Sequence, residues 1–216
     1  MKEEKLPFAL IAIDLCLLKI INNELCVFLT DVNKDSLYQG LKCLPGGLVR
    51  LDESAEDTLK RIIVQKGLLK MDKIYTEQLY TFSDIKRDKR GRVVSCAFLG
   101  LYSGLSEEGF IPIGKIKKLA YDHSLILKTG LERLKTKIEY TTIIKKLFSN
   151  NFTFSELQKV YEIILGKEID KRNFRKKIDS LNILEETKDK RKEGRMRPAS
   201  LYKFKTKNIE TLNILG

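Results

Sequence analysis

The sequence has little with which to build a metal or disulfide scaffold. Its four cysteines, Cys16, Cys26, Cys43 and Cys96, form no CxxC pair, and His123 is the single histidine. Zinc-ligand spacings are absent, so neither a metal nor a cofactor site is expected. Each thiol lies within or beside an apolar run and reads as buried and reduced. No apolar run is long enough for a membrane-spanning helix. The amino end is short and mixed in charge, and Asp14 interrupts the apolar run behind it. No small-residue cleavage site follows, so no signal peptide is expected. A cytoplasmic, non-membrane protein is the expectation. Internal repeats and long linkers are also missing.

Acidic residues are in short supply. Against 41 lysines and arginines stand 29 aspartates and glutamates, a net charge of +12 over 216 residues. Such an excess points to an anionic partner, nucleic acid first. The 43% of hydrophobic residues argues against a disordered chain. The length suits two domains of ordinary size.

Phe8 to Ile20 reads as a long strand and Leu25 to Thr30 as its partner. Asn22-Asn23 suits the tight turn between them, because asparagine tolerates left-handed backbone. Leu44-Pro45-Gly46-Gly47-Leu48-Val49 breaks a strand end. From Glu53 to Lys66, Ala55, Leu59, Ile62 and Ile63 fall at helical spacing, with Asp52 or Ser54 available as a cap and Gly67 as a stop. Strands are expected at Ile74 to Phe82 and Arg92 to Leu101, a weak strand or loop at Ile111 to Leu119, and a helix at Leu125 to Ile138.

Within this α+β pattern, Gly47 is followed by five residues and Glu53, then by seven residues and Arg61. The spacing resembles the first half of the Nudix hydrolase box. There, a glycine turn leads into a helix whose later glutamates hold divalent metals around a pyrophosphate. The second half departs from the box. Its glutamate positions hold Ile62, Gln65 and Lys66, and Gly67 arrives one residue early. An aliphatic, an amide and a cation do not replace carboxylates on Mg²⁺. Glu53 and Arg61 are expected to survive as a pair bracing loop against helix.

Glu77-Gln78-Leu79-Tyr80-Thr81-Phe82, Arg87-Asp88, Arg90-Gly91-Arg92-Val93, Asp122-His123, Leu131-Glu132-Arg133-Leu134 and Lys137-Ile138-Glu139-Tyr140-Thr141 narrow the family. Together they resemble the Nudix-related transcriptional regulators, which control NAD metabolism in some bacteria and sugar catabolism, such as arabinose use, in others. The resemblance spans nearly the whole chain. Arg50, Arg87, Arg90 and Arg92 would place guanidinium groups, suited to phosphate, beside the former pyrophosphate site, with Glu53 nearby. Tyr80 and Phe82 could stack on an effector; as alternating strand residues they would otherwise fill the core. Asp122-His123 is expected to cap and pack the start of a helix rather than to catalyse.

From Tyr140 onward the chain reads as three helices and two strands around a basic loop. Thr141 to Phe148 is the first helix. Thr153 or Ser155 caps the second, whose buried face is Leu157, Val160, Tyr161 and Ile164. Asp170 caps the third, Lys171 to Leu181, where Phe174, Ile178 and Leu181 pack inward. Its other face carries Lys171, Arg172, Asn173, Arg175, Lys176 and Lys177, the residue types that read bases and grip phosphates in a major groove. The loop from Lys188 to Pro198, with Lys190, Arg191, Arg195 and Arg197, suits a flexible basic wing. From Glu139 to the end, 18 cations face 11 acids, so the excess is concentrated in this part.

The expected architecture is a Nudix-like α/β/α sandwich over residues 1–138, sensing an effector, and a winged helix-turn-helix over 139–216, binding an operator in double-stranded DNA. The resemblance implies a homodimer and an effector such as ADP-ribose, another NAD-related metabolite or a sugar. An active pyrophosphatase on ADP-ribose-like nucleotides is the rival function, and the missing carboxylates argue against it.

Overall fold

The computed structural model describes residues 8–32, 37–65, 70–192, 198–212 and 214–215. Strand β1 (Leu10–Ile21) turns through Asn22 and Asn23, at φ 49° and 63°, into β2 (Glu24–Phe28). Two successive left-handed residues match the twist of a two-residue hairpin. The short strands β3 (Thr30–Asp31) and β4 (Lys42–Cys43) pair with each other, and β5 (Gly46–Leu48) follows. Helix α1 (Ala55–Gln65), strands β6 (Ile74–Phe82), β7 (Val93–Tyr102) and β8 (Phe110–Pro112), and helix α2 (His123–Tyr140) complete the first part.

The main sheet runs β6-β7-β1-β2-β8, and β5 pairs with the first half of β1. Among the described strand pairs of this sheet, only β1 and β7 are parallel. Helices cover both faces. Ile13, Leu15 and Leu17 of β1 pack with Leu59, Ile62 and Ile63 of α1. Cys16 and Leu18 point the other way, toward Ile126, Leu127 and Leu134 of α2. The period-two alternation of a strand thus serves two cores, and β1 reads as one apolar run because both faces are buried. Gly130 sets how closely α2 lies on the sheet: a Cβ there would come 2.7 Å from Cys16 Sγ.

The second part begins with a tight turn over Thr142–Leu147, of 3-10 rather than the expected α-helical form. Here Thr141, Thr142, Ile143 and Ile144 are all β-branched, which disfavours α-helix. The tail also claims this backbone: Thr142 N donates to Glu210 O, and Thr141 bridges Thr211. Strand β9 (Phe152–Thr153) leads into α3 (Phe154–Leu165), with a capping box between Thr153 and Glu156. Gly166 ends α3 at φ +70°. Asp170 caps α4 (Lys171–Leu181) by accepting from Asn173 N at 2.8 Å. Strands β10 (Leu184–Arg191) and β11 (Ala199–Phe204) close a three-stranded sheet with β9. The arrangement is a winged helix, and β10 reaches further than expected. Lys188, Lys190 and Arg191 are strand residues, while Arg195 and Arg197 lie outside the described residues. One buried cluster continues from Leu99 and Leu134 through Ile138 and Ile143 to Leu157, Tyr161 and Phe174. Among the described residues, no helix is long and apolar enough to cross a membrane.

A buried ionic knot ties the first part together. Arg87, in the β6–β7 loop, donates Nε and Nη2 to Asp122 at 2.9 and 2.7 Å and Nη2 to Asp14 at 3.2 Å. The Arg87, Asp14 and Asp122 side chains are only 4%, 7% and 15% exposed. Ser95 Oγ donates to Asp14 at 2.6 Å. The knot joins β1, β7, the β6–β7 loop and the start of α2. Burial pushes the Asp14 carboxyl up, but His123, Ser95 and Arg87 outweigh it and hold Asp14 below its ordinary value.

Removing Arg87 strands two carboxylates, which typically costs about 3–5 kcal/mol where an exposed pair costs under about 1 kcal/mol. Arg87→Ala should therefore lower the urea midpoint by the larger amount, and a loss near the smaller figure would refute the knot. Because the folded pKa of Asp14 is depressed, its contribution is complete above the unfolded value, about 3.9, and is lost as pH falls through the folded value. The stability gap between the native protein and Asp14→Asn should be flat near neutrality and shrink below about pH 4.

Candidate functional site

Above the knot is a pocket of about 250 Å³, walled by β1, β5, the β3–β4 pair, the β6–β7 loop and the start of α2. Its floor is Asp14 under Gly46. A Cβ at Gly46 would stand 2.1 Å from Asp14 Oδ1 and 2.9 Å from Ile13 O, so only glycine fits the turn there. His123 completes the floor. Its Nδ1 accepts from Leu44 N at 2.9 Å, and its Nε2 lies 3.4 Å from Asp14 Oδ1. With Nδ1 turned to the Leu44 N–H, Nε2 is the nitrogen that faces Asp14.

Tyr121 forms one wall at φ +54°. A bulky residue in that region is costly and survives only where its surroundings fix it. Here the next two residues, Asp122 and His123, are both locked into the knot. The Tyr121 ring lies 4.4 Å from that of Tyr38 and 5.1 Å from that of His123. The Arg90 guanidinium sits 5.0 Å from its centroid. Arg90 is anchored by Asp88, at 2.7 to 3.2 Å, yet 56% exposed, whereas Asp88 is 3% exposed. The mouth of the pocket therefore presents a fixed aromatic face and an oriented, solvent-facing cation, a pairing suited to phosphate beside a planar ring.

The structure separates the residues expected from sequence at this site. Arg87 and Arg90 line the pocket. Arg92 instead donates to the Ser83 and Asp84 carbonyls, at 3.0 and 3.2 Å, outside it. Arg50 is exposed, 3.9 Å from Glu53. Glu53 is held by Arg61 at 2.6 and 2.8 Å and by Thr58 at 3.0 Å. The Arg61 hydrogen bonds bring its carboxyl down to about 2. Neither Tyr80 nor Phe82 lines the pocket. The core expectation holds for Phe82 alone: Tyr80, whose ring lies beside that of Phe82 at 5.3 Å between centroids, is 60% exposed. The capping expectation at Asp122-His123 is corrected: neither side chain caps α2, since Arg87 takes one and Leu44 and Asp14 the other. Sequence reasoning missed Asp14, Asp88, Ser95 and Tyr121. A lone aspartate inside an apolar strand was a signal for Asp14; Tyr121 offered none.

The pocket does not fit a Nudix metal centre. Among the described residues no cluster of three His, Cys, Asp or Glu is placed to hold a metal ion. Of the box positions, Ile62 is buried against β1, Gln65 is exposed, and Lys66 lies outside the described residues.

At the other end, α4 buries Phe174 and Ile178 against Phe154 and Tyr161. By helical geometry Arg172 and Lys176 then stand on the opposite face with Asn173 beside them. Lys171, Arg172, Asn173 and Lys176 are exposed, Lys177 half-buried. Arg175 is pinned: it donates to Tyr202 Oη at 3.1 Å, lies over the Phe154 ring at 4.8 Å and pairs with Asp179 at 3.6 Å. Arg191 is likewise engaged, with Glu156 at 2.6 Å and Asn151 O at 2.9 Å. Lys190 is exposed on β10.

Comparison with known proteins matches both halves. Residues 144–204 fit the model of the NrtR DNA-binding winged helix domain. The ADPR responsive transcriptional repressor NtrR of Acinetobacter baylyi is 31% identical over 211 residues, covering 92% of this chain and 83% of that protein. Shewanella oneidensis NrtR, solved with a 27mer DNA, is 32% identical with a TM-score of 0.78, covering 90% of this chain and 93% of that one. The isolated NUDIX domain of the same protein, solved with ADP ribose, is 26% identical with a TM-score of 0.52, covering 62% of this chain and 94% of that one. The chain thus belongs to the Nudix-related transcriptional regulators, in which a Nudix-type sensor is joined to an NrtR-type DNA-binding winged helix.

Proposed function

We propose that this chain is a homodimeric regulator that binds an operator through α4 and the wing, and that ADP-ribose in the Gly46–Tyr121 pocket sets its affinity for DNA. Residues 1–138 would be the sensor and 139–216 the reader. The observation that carries this is the pocket mouth: a clamped Arg90 beside the Tyr121 ring offers one cation and one aromatic face, as a pyrophosphate joined to a nucleoside requires. The relatives named for ADP-ribose and for DNA support the same pairing. Two copies on two half-sites supply avidity that one winged helix lacks. The effector acts by preferring one of two arrangements of the readers.

The sensor does not hydrolyse its effector, because Ile62, Gln65 and Lys66 stand where metal-binding carboxylates are needed. With Mg²⁺ or Mn²⁺ and ADP-ribose, product should not exceed the no-protein control. Turnover on the order of 1 per second, ordinary for an enzyme, would overturn this.

Arg90 and Arg92, two residues apart, should behave differently. By calorimetry Arg90→Ala should weaken ADP-ribose binding about tenfold or more, the scale of one charge-assisted contact. Arg92→Ala should leave it unchanged. Equal effects would place the effector elsewhere.

On DNA, Arg172→Ala should cost roughly 1–3 kcal/mol on the operator and little on random duplex, as a base-reading residue does. Lys190→Ala should weaken both duplexes alike and flatten the salt dependence by about one phosphate contact. Anisotropy titrations across a salt series measure both. Equal losses on the two duplexes for Arg172→Ala would show that α4 is not the reader.

A further inference from the structure

A second cleft, of about 500 Å³, lies at the seam between the main sheet and the winged helix. It shares no residue with the pocket above the knot and none with α4. One wall is the segment from Asp72 to Tyr75 together with Ser103. The facing wall comes from residues 145–152 and from the end of β11.

Its charge is one-sided. Five lysines line it, against a single carboxylate, Asp72. Asp72 is taken by Lys73 at 3.3 Å, and Lys203 pairs with Glu185 at 3.4 Å. Three cations remain: Lys145, Lys146 and Lys207. Among the described residues none of them has a carboxylate within 4.0 Å. Lys145 donates only to neutral groups, the Thr206 carbonyl at 3.0 Å, the Thr206 hydroxyl at 3.2 Å and the Asn208 carbonyl. Burial, with Lys146 adding to it, holds its amine below the ordinary value, and Glu210, which accepts from that hydroxyl, opposes this only in part.

Aromatic rings are interleaved with these cations. The Lys146 amine sits 5.6 Å from the Tyr75 ring and the Lys145 amine 5.4 Å from the Phe204 ring. Phe148 also lines the cleft. Lysines crowded without counter-charge repel one another, and an anion between them relieves that repulsion. Lysine binds phosphate as a point charge, and the half-buried rings of Tyr75, Phe148 and Phe204 give the cleft an aromatic surface for a planar base. The volume lies within the range of small-molecule sites, roughly 300–1,000 Å³.

We propose that this cleft is a second ligand site, taking a phosphate-bearing small molecule of the nucleotide class. Its two walls belong to the two halves of the chain. A ligand spanning them binds best to one placement of the winged helix against the sheet, and so adjusts DNA affinity independently of the sensor pocket.

The test is calorimetry on the full chain with ATP and with inorganic pyrophosphate as probes. The native protein should bind ATP saturably, and more tightly than pyrophosphate. Lys146→Ala with Lys207→Ala should weaken ATP binding at least tenfold, with ADP-ribose binding and the thermal midpoint unchanged. Arg90→Ala should spare ATP binding, which separates this site from the sensor pocket. The proposal is overturned if the native chain shows no saturable ATP binding, if the double variant binds ATP like the native chain, or if Arg90→Ala abolishes the ATP signal. Equal affinity for pyrophosphate and ATP overturns the nucleotide class. If the double variant loses operator affinity without any change in ATP binding, the lysines belong to the DNA contact and the proposal also fails.

Discussion

The first half of the molecule depends on one arginine held between two carboxylates out of reach of water. Arg87 draws together the central strand through Asp14 and the head of α2 through Asp122. Buried ion pairs contribute little net stability over apolar packing but are costly to break, so the value of this one lies in position. It fixes Tyr121 in a left-handed conformation and leaves Arg90, three residues on, as the guanidinium at the pocket mouth. The sensor surface is a by-product of how the knot is tied.

The reader shows the same economy. Glu156 closes the capping box of α3 and also receives Arg191 from β10, so a single carboxylate holds helix start and wing together. Arg175 braces α4 against β11 and the first residue of α3. Of the cations on this surface, some build the winged helix and others, Arg172 and Lys176 among them, are left facing outward.

Local patterns were legible from sequence and distant pairings were not. The Asn22-Asn23 turn, the bounds of β6, the Asp170 cap and the inward face of α4 each follow from a few neighbouring residues. The 3-10 turn after α2 was missed because the tail, some 70 residues away, pairs with its backbone. Arg87, Arg90 and Arg92 look alike in sequence. They part ways because their partners differ: carboxylates 73 and 35 residues distant for the first, a carboxylate two residues away for the second, and carbonyls for the third. Tyr80 and Phe82 stand side by side on one strand face, yet only Phe82 is buried, a difference that neither residue type announces.

Helix α2 begins in the pocket, at His123, and ends in the reader, where Tyr140 O accepts from Leu212 N of the tail. Its 18 residues make a rod of about 27 Å. Packed along its length and continuous through the shared core, it has the mechanics of a lever. A tilt of about 5° at the pocket end moves the far end by roughly 2 Å, the scale on which packed interfaces switch register. Leverage of that kind turns a small adjustment around Asp122 into a displacement of the winged helix.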